Sequence, residues 1–266
     1  MPETVDIKVR RFDPSTMRAN ATVLMSGKRG TGKTTLINDI MYHNRDKFRF
    51  GVGMSPTDDT TDALGAFIPN SCVYDEFDEG ALQRMLTVQK KAGRGPPEKF
   101  HNVFCVLDDC AFDKKTFSNK AIREVFMNGR HRKIFIINSI QYVMDMPAGL
   151  RGQFDYVFAT RNDNHDEKEK LWKYFFGMFP SFRSFEKVLE ECTDEYSVIV
   201  FDGTVRSKNV EDKIFHYTAD PGLPSFRMCD DIFWKLDEYY FSEEGEEHGA
   251  GRESSGSKSE IVVRMM

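Results

Sequence analysis

The sequence predicts an α/β fold, with a mostly parallel central sheet and helices on both faces, organised around a phosphate-binding loop. Three observations carry that expectation. Short apolar runs alternate with segments whose apolar residues recur at helical spacing, the signature of successive β-α-β units. Between one such pair lies Gly27-Lys28-Arg29-Gly30-Thr31-Gly32-Lys33-Thr34, which fits the P-loop pattern G-x-x-x-x-G-K-[ST] at every defined position. A later uninterrupted apolar run, residues 103–107, suits a strand covered on both faces and closes on Asp108 and Asp109.

Taken in order, residues 7–12 alternate like an edge strand until Asp13-Pro14-Ser15 breaks them. Residues 22–26 form the strand that leads into the P-loop, and Leu36, Ile37, Ile40 and Met41 mark the helix behind it. Residues 48–54 read as a second strand, 71–74 as a short third, and 78–91 as an amphipathic helix with Leu82, Met85 and Leu86 inward. After the 103–107 strand, residues 119–128 are helical, with Ile122, Val125 and Phe126 on one face. A buried strand over 134–139 ends in polar residues, followed by Gln141; residues 147–150 make a short turn, and 155–159 a further core strand. Residues 166–192 read as helix broken near Met178-Phe179-Pro180. Strands over 197–201 and 213–217, too far apart for a two-residue hairpin, precede a last helix containing Ile232, Phe233 and Leu236. The organisation expected is an edge segment over 1–20, a nucleotide-binding domain over 21–240, and a disordered tail over 241–266 that begins with a Ser/Glu/Gly stretch poor in apolar residues.

Composition bounds the function. Hydrophobic residues make up 40% of 266 and charged residues 30%, enough for a sizeable core in a soluble chain. No apolar run approaches the roughly 18–20 residues a membrane span needs, and the N-terminus lacks a signal pattern, so a soluble intracellular protein without membrane contact is expected. The net charge of −5 argues against an evenly basic nucleic-acid binder but leaves room for a local basic surface. Five cysteines without a CxxC pair suggest reduced thiols that hold no metal.

The chemistry follows from residue types. Glycines let backbone N–H groups turn inward around phosphate, and the helix N-terminus adds a favourable dipole. Gly27, Gly30, Thr31, Gly32, Lys33, Thr34 and Thr35 are therefore the expected nucleotide contacts, with Lys33 at the β- and γ-phosphates and the Thr34 hydroxyl on Mg²⁺. Asp108 reads as the Walker B carboxylate on Mg²⁺, and Asp109 as the group that orients or deprotonates attacking water. Asn138 and Gln141 compete as the polar sensor beside that strand, with Gln141 taken as the catalytic member. Arg130, Arg132 and Arg151 are candidate arginine fingers, Arg130 first, with Arg130 and Arg132 expected near the ligand edge of the sheet. Such a finger acting in trans is worth on the order of 10³–10⁵ in rate.

The ordered motifs resemble the poxvirus-type genome-packaging ATPases of large DNA viruses, in the FtsK/HerA branch of P-loop motors. The resemblance runs over residues 15–220, through 24–34, Met54-Ser55-Pro56-Thr57, Val106-Leu107-Asp108-Asp109-Cys110, Asn128-Gly129-Arg130-His131-Arg132, Asn138-Ser139-Ile140-Gln141-Tyr142, 147–151 and 154–158. It implies a RecA/FtsK-HerA-like fold and an ATP- and Mg²⁺-dependent, ring-shaped homo-oligomer. That ring would thread double-stranded DNA into a capsid, without reading sequence and with capsid or portal proteins as partners. The implied location is the virus factory in the host cytoplasm, or the virion. Asp109 is a departure, since the family often has glutamate there. Lys90, Lys91, Arg94, Lys114 and Lys115 are the cations expected to face a DNA pore. A nucleotide or small-molecule kinase fits less well, because residues 93–97 hold a single arginine and make a poor lid. A GTPase-like switch fits less well too, because Thr160-Arg161-Asn162-Asp163 lacks the lysine of the base-recognition element.

Overall fold

Parallel strands cannot be joined by tight turns, so the apolar runs between residues 22 and 159 are each carried back to the starting edge of the sheet by a helix or a long loop. The structure is a computed structural model that describes residues 7–110 and 116–241. Lys114, Lys115 and the tail beyond residue 241 lie outside the described residues. In chain order the elements are β1 (Arg10–Arg11), β2 (Thr22–Ser26), α1 (Lys33–Asn44), β3 (Phe50–Met54), α2 (Asp58–Gly65) and β4 (Val73–Tyr74). Then come α3 (Glu79–Ala92), β5 (Val103–Leu107), α4 (Lys120–Asn128), β6 (Ile134–Ile140), α5 (Ala148–Arg151) and β7 (Tyr156–Ala159). The last are α6 (His165–Phe175), α7 (Phe182–Cys192), β8 (Ser197–Asp202), β9 (Ile214–Thr218) and α8 (Asp231–Phe241).

These strands make one sheet, in the order β1-β9-β8-β7-β2-β6-β5-β3-β4. All pairings are parallel except β7 with β8 and β8 with β9, so β8 runs against its neighbours. β2 lies in the middle, with Val23 opposite Ile137 of β6 and Tyr156 of β7. Side-chain alternation along these strands builds two cores, one on each face. Val23, Met25, Val106 and Ile137 meet Leu36, Ile37, Ile40 and Met41 of α1. Leu24, Cys105, Leu107 and Ile136 meet Leu82 and Met85 of α3, Ile122 and Phe126 of α4, and Phe185 and Leu189 of α7. Full burial of one such side chain contributes about 1.5–3 kcal/mol. A one-residue slip would move every one of them to the other face, so this patterning fixes the register.

Local signals set the helix starts. The Asp78 side chain accepts from Ala81 N–H at 2.7 Å, Asn119 caps α4, and Asn164 caps α6 through Glu167 N–H at 3.1 Å. Ser181 and Ser184 form a reciprocal capping box at α7, after the break expected near Pro180. Two elements differ from expectation. The edge strand is only Arg10–Arg11, paired with β9. Helix α2 was not foreseen, because it buries just Thr60 and Leu64 and leaves no apolar period to read.

Candidate nucleotide-hydrolysis site

Every strand of the sheet except β8 points its carboxyl end at one edge, and the chemistry-bearing residues follow directly from those ends: Gly27 after β2, Asp108 after β5, Gln141 after β6 and Thr160 after β7. This is the edge where ligands sit in open α/β sheets. The P-loop turns there on Gly30 and Gly32, with φ of 75° and 82°, conformations that penalise any residue with a Cβ. Gly27 has a second constraint, since a Cβ on it would lie 1.9 Å from the Thr160 hydroxyl. That hydroxyl donates to Thr31 Oγ1 at 2.9 Å, and Thr31 Oγ1 donates to the Lys28 carbonyl at 2.8 Å, so β7 braces the loop. In the sequence Thr160 stands out only as the start of the discounted Thr160-Arg161-Asn162-Asp163 element, and its bracing of the P-loop follows instead from its position after a core strand.

Lys33 opens α1 and is 7% exposed. Its ammonium donates to the carbonyls of Gly27 at 2.8 Å and Lys28 at 3.2 Å, and stands 3.7 Å from Asp109 Oδ2. The same Asp109 oxygen accepts from Gln141 Nε2 at 2.9 Å. Lys33, Asp109 and Gln141 are thereby brought together. Asn138, the competing sensor, lies on the other face of β6, wholly buried, and neither of its amide atoms has a hydrogen-bond partner. Asp109 has φ of 51°, a left-handed conformation uncommon for a non-glycine residue, and its N–H donates to Ser139 Oγ at 3.2 Å.

Ser139 is the member sequence reasoning did not single out. Its hydroxyl also donates to Asp108 Oδ1, so it holds both aspartates from the neighbouring strand. Asp108 is 3% exposed, and burial pushes its carboxyl above the ordinary value, with the Asp109 charge adding to the rise. The Ser139 hydroxyl, the Lys33 ammonium and Thr60 of α2 pull the other way. Thr34 and Thr35 lie in the first turn of α1, at the loop's exit. Thr34 and Asp108, the residues expected to hold Mg²⁺, offer hydroxyl and carboxylate oxygens, the hard set that suits it. Among the described residues no cluster of three His, Cys, Asp or Glu side chains forms a protein-only cage.

The arginines are placed differently from expectation. Arg130 and Arg132 occupy a 3₁₀ turn that enters β6, which puts them at the amino-terminal edge, opposite the P-loop. There Arg130 pairs with Asp155, whose other oxygen accepts from Thr22 N–H at 3.0 Å as β2 begins. Spacing between two motifs could not reveal which edge a strand's entry turn occupies. Arg151 lies over the Tyr174 ring at 4.1 Å and donates to the Met146 carbonyl at 2.9 Å. Lys90, Lys91 and Arg94 also fall toward the amino-terminal edge, at the end of α3, where Lys90 pairs with Glu124 at 2.7 Å.

No family model matches the chain. An uncharacterized protein of Acanthamoeba polyphaga mimivirus is 32% identical over 220 residues, covering 80% of this chain and 77% of that protein. An uncharacterized protein of Invertebrate iridescent virus 3 is 30% identical over 208 residues, covering 78% of each. Among solved structures, B204, the DNA-packaging ATPase of Sulfolobus turreted icosahedral virus, has a TM-score of 0.56 at 16% identity, covering 77% of this chain and all of that one. B204 of Sulfolobus turreted icosahedral virus 2, a genome packaging NTPase in complex with ATP-gammaS, has a TM-score of 0.52 at 17% identity, covering 78% of this chain and all of that one. EssC (ATPases 2 and 3) of Geobacillus thermodenitrificans has a TM-score of 0.54 at 11% identity, covering 94% of this chain and 53% of that one. The shared fold is the P-loop ATPase fold.

Proposed function

We propose that this chain, which belongs to one family with the mimivirus and iridescent-virus proteins, is a genome-packaging ATPase that hydrolyses ATP to drive double-stranded DNA into a capsid. The observation that carries the hydrolytic part is the convergence on Asp109 Oδ2, with the Lys33 ammonium at 3.7 Å and the Gln141 amide at 2.9 Å. The P-loop N–H groups and Lys33 bind the triphosphate. Thr34 and Asp108 would hold Mg²⁺, and a bound Mg²⁺ would neutralise charge developing on the phosphates. Asp109 accepts the proton of the attacking water, and Gln141 orients that water through their shared hydrogen bond. Ser139 keeps both aspartates in position from below.

A packaging motor grips DNA through phosphates, so its binding weakens with salt and ignores sequence. The exposed cations Lys91 and Arg94 are the proposed contacts, at the edge opposite the nucleotide. The working form is a homo-oligomeric ring that docks on capsid or portal proteins, in the virus factory or the virion. In such a ring Arg130 serves a neighbour's site only by releasing Asp155. Co-assembly of Arg130→Ala with Lys33→Ala subunits tests this, and recovered turnover in the mixture, with both parents inactive, supports the trans role.

Phosphate release measured with and without random-sequence duplex DNA tests the reading. Stimulated turnover that Lys33→Ala and Asp109→Asn both abolish, the latter with ATP still bound, supports it. Efficient phosphoryl transfer to a nucleoside mono- or diphosphate, indifferent to DNA, would replace it with a kinase.

A further inference from the structure

Because β8 runs against the rest of the sheet, the turn that enters it arrives at the P-loop edge. That turn is closed by Ser197 N–H donating to the Asp194 carbonyl at 2.8 Å. Its central residues, Glu195 and Tyr196, have φ of 29° and 59°. Positive φ at both central positions marks the type I′ class, whose usual occupants are Asn and Gly. A glutamate and a tyrosine there pay a steric penalty, and such strain persists at sites where a side chain has a task.

The tyrosine ring shows what that task is. It is 48% exposed, so core packing does not account for it. It lies over the P-loop, where a Cβ built on Gly32 would meet ring Cδ1 at 2.9 Å. Beside it opens a cavity of about 260 Å³, lined by Gly30, Gly32, Arg161, Asp194, Glu195 and Tyr196. That volume is below the roughly 300–1,000 Å³ that houses a drug-sized ligand, and suits a single ring system. Arg161, two residues beyond the end of β7, stands 3.8 Å from Asp194, which ties the cavity's two walls together.

We propose that the base of the bound nucleotide stacks on Tyr196 in this cavity, with Arg161 at the facing wall. The assignment rests on the nucleotide reading of the P-loop and extends it to the base. A purine face against an aromatic ring is sequence-tolerant binding energy, with Arg161 adding a planar cation. The strained turn aims the ring, and Gly32 leaves room for it.

The test compares ATP with inorganic tripolyphosphate as probes, by calorimetry on the full chain. Tyr196→Gly suits the left-handed backbone and removes the ring, and relief of the positive φ offsets the entropy that glycine adds to the unfolded chain, so the variant folds. It is expected to weaken ATP binding about 5- to 100-fold while leaving tripolyphosphate binding unchanged. Tyr196→Phe keeps the ATP affinity of the wild type. Unchanged ATP affinity in Tyr196→Gly overturns the proposal, as does an equal weakening of both probes. Lys33→Ala loses both probes if the P-loop reading is right, and a Lys33→Ala that kept both would count against that reading and not against the base slot alone.

Discussion

Replacing Ser139 with alanine removes a hydroxyl that serves both Walker B aspartates. The hydroxyl donates to Asp108, which is 3% exposed, and accepts from Asp109 N–H at 3.2 Å. A hydrogen bond to a charged group is worth about 1.5–3 kcal/mol, and a buried donor left without acceptor costs about 1–3 kcal/mol. Asp109 is partly exposed, so the second contribution is discounted, and the expected loss is about 2–4 kcal/mol. Set against a typical domain stability of about 5–15 kcal/mol, the protein still folds. Asp109 is also released from its left-handed conformation, and about 2 kcal/mol of lost positioning lowers turnover about 30-fold. Urea unfolding followed by circular dichroism reads the stability, and phosphate release across a Mg²⁺ titration reads the chemistry. The midpoint in Mg²⁺ should rise, because Asp108 is no longer oriented. Ser139→Thr is the control: its extra methyl costs about 1–3 kcal/mol in a fully buried position, but the hydroxyl and the Mg²⁺ midpoint survive. A Ser139→Ala protein within about 0.5 kcal/mol of wild type, with unchanged turnover and Mg²⁺ midpoint, would refute the reasoning.

Arg130→Ala deprives the nearly buried Asp155 of its cation, and because the arginine is half-exposed the expected cost is about 1–2 kcal/mol by urea unfolding. Gly32→Ala forces a Cβ into both a φ of 82° and the Tyr196 ring, and should lower stability by about 1–3 kcal/mol and abolish ATP binding. Adding Tyr196→Gly recovers the part of that stability loss due to the ring, as a double-mutant cycle would show. Burial raises the thiol pKa of all five cysteines, with Cys72 pushed up to about 11 and Cys105 to about 12. Only the thiolate reacts, so native Cys72 near neutral pH should label with a disulfide reagent about 100-fold slower than a thiol of ordinary pKa, and urea should expose all five.

The sheet was legible because its strands carry their own evidence: five apolar runs, each ending in polar or glycine residues, could only be buried parallel strands. That Lys33, Asp108, Asp109 and Gln141 meet at one sheet edge was legible because each closely follows the end of a buried parallel strand. Helix α2 was not, since its burial rests on Thr60 and Leu64 alone. Ser139 was hidden inside an apolar strand, where a serine ordinarily reads as a tolerated small residue. Arg130 was misplaced because a sequence orders residues along the chain but does not say which end of a strand faces the ligand. Tyr196 was invisible for a related reason: its nearness to Gly32 depends on β8 reversing direction, and residue spacing alone does not record that reversal.

The central claim is that ATP hydrolysis at Lys33, Asp109 and Gln141 moves duplex DNA. Displacement of a third strand from a triplex embedded in duplex DNA measures this directly, because only a protein travelling along the duplex strips it. The wild-type chain with ATP and Mg²⁺ is expected to displace the third strand, faster at low salt, and Asp109→Asn to bind ATP without displacing it. Wild-type protein that hydrolyses ATP steadily while the triplex stays intact would contradict the claim.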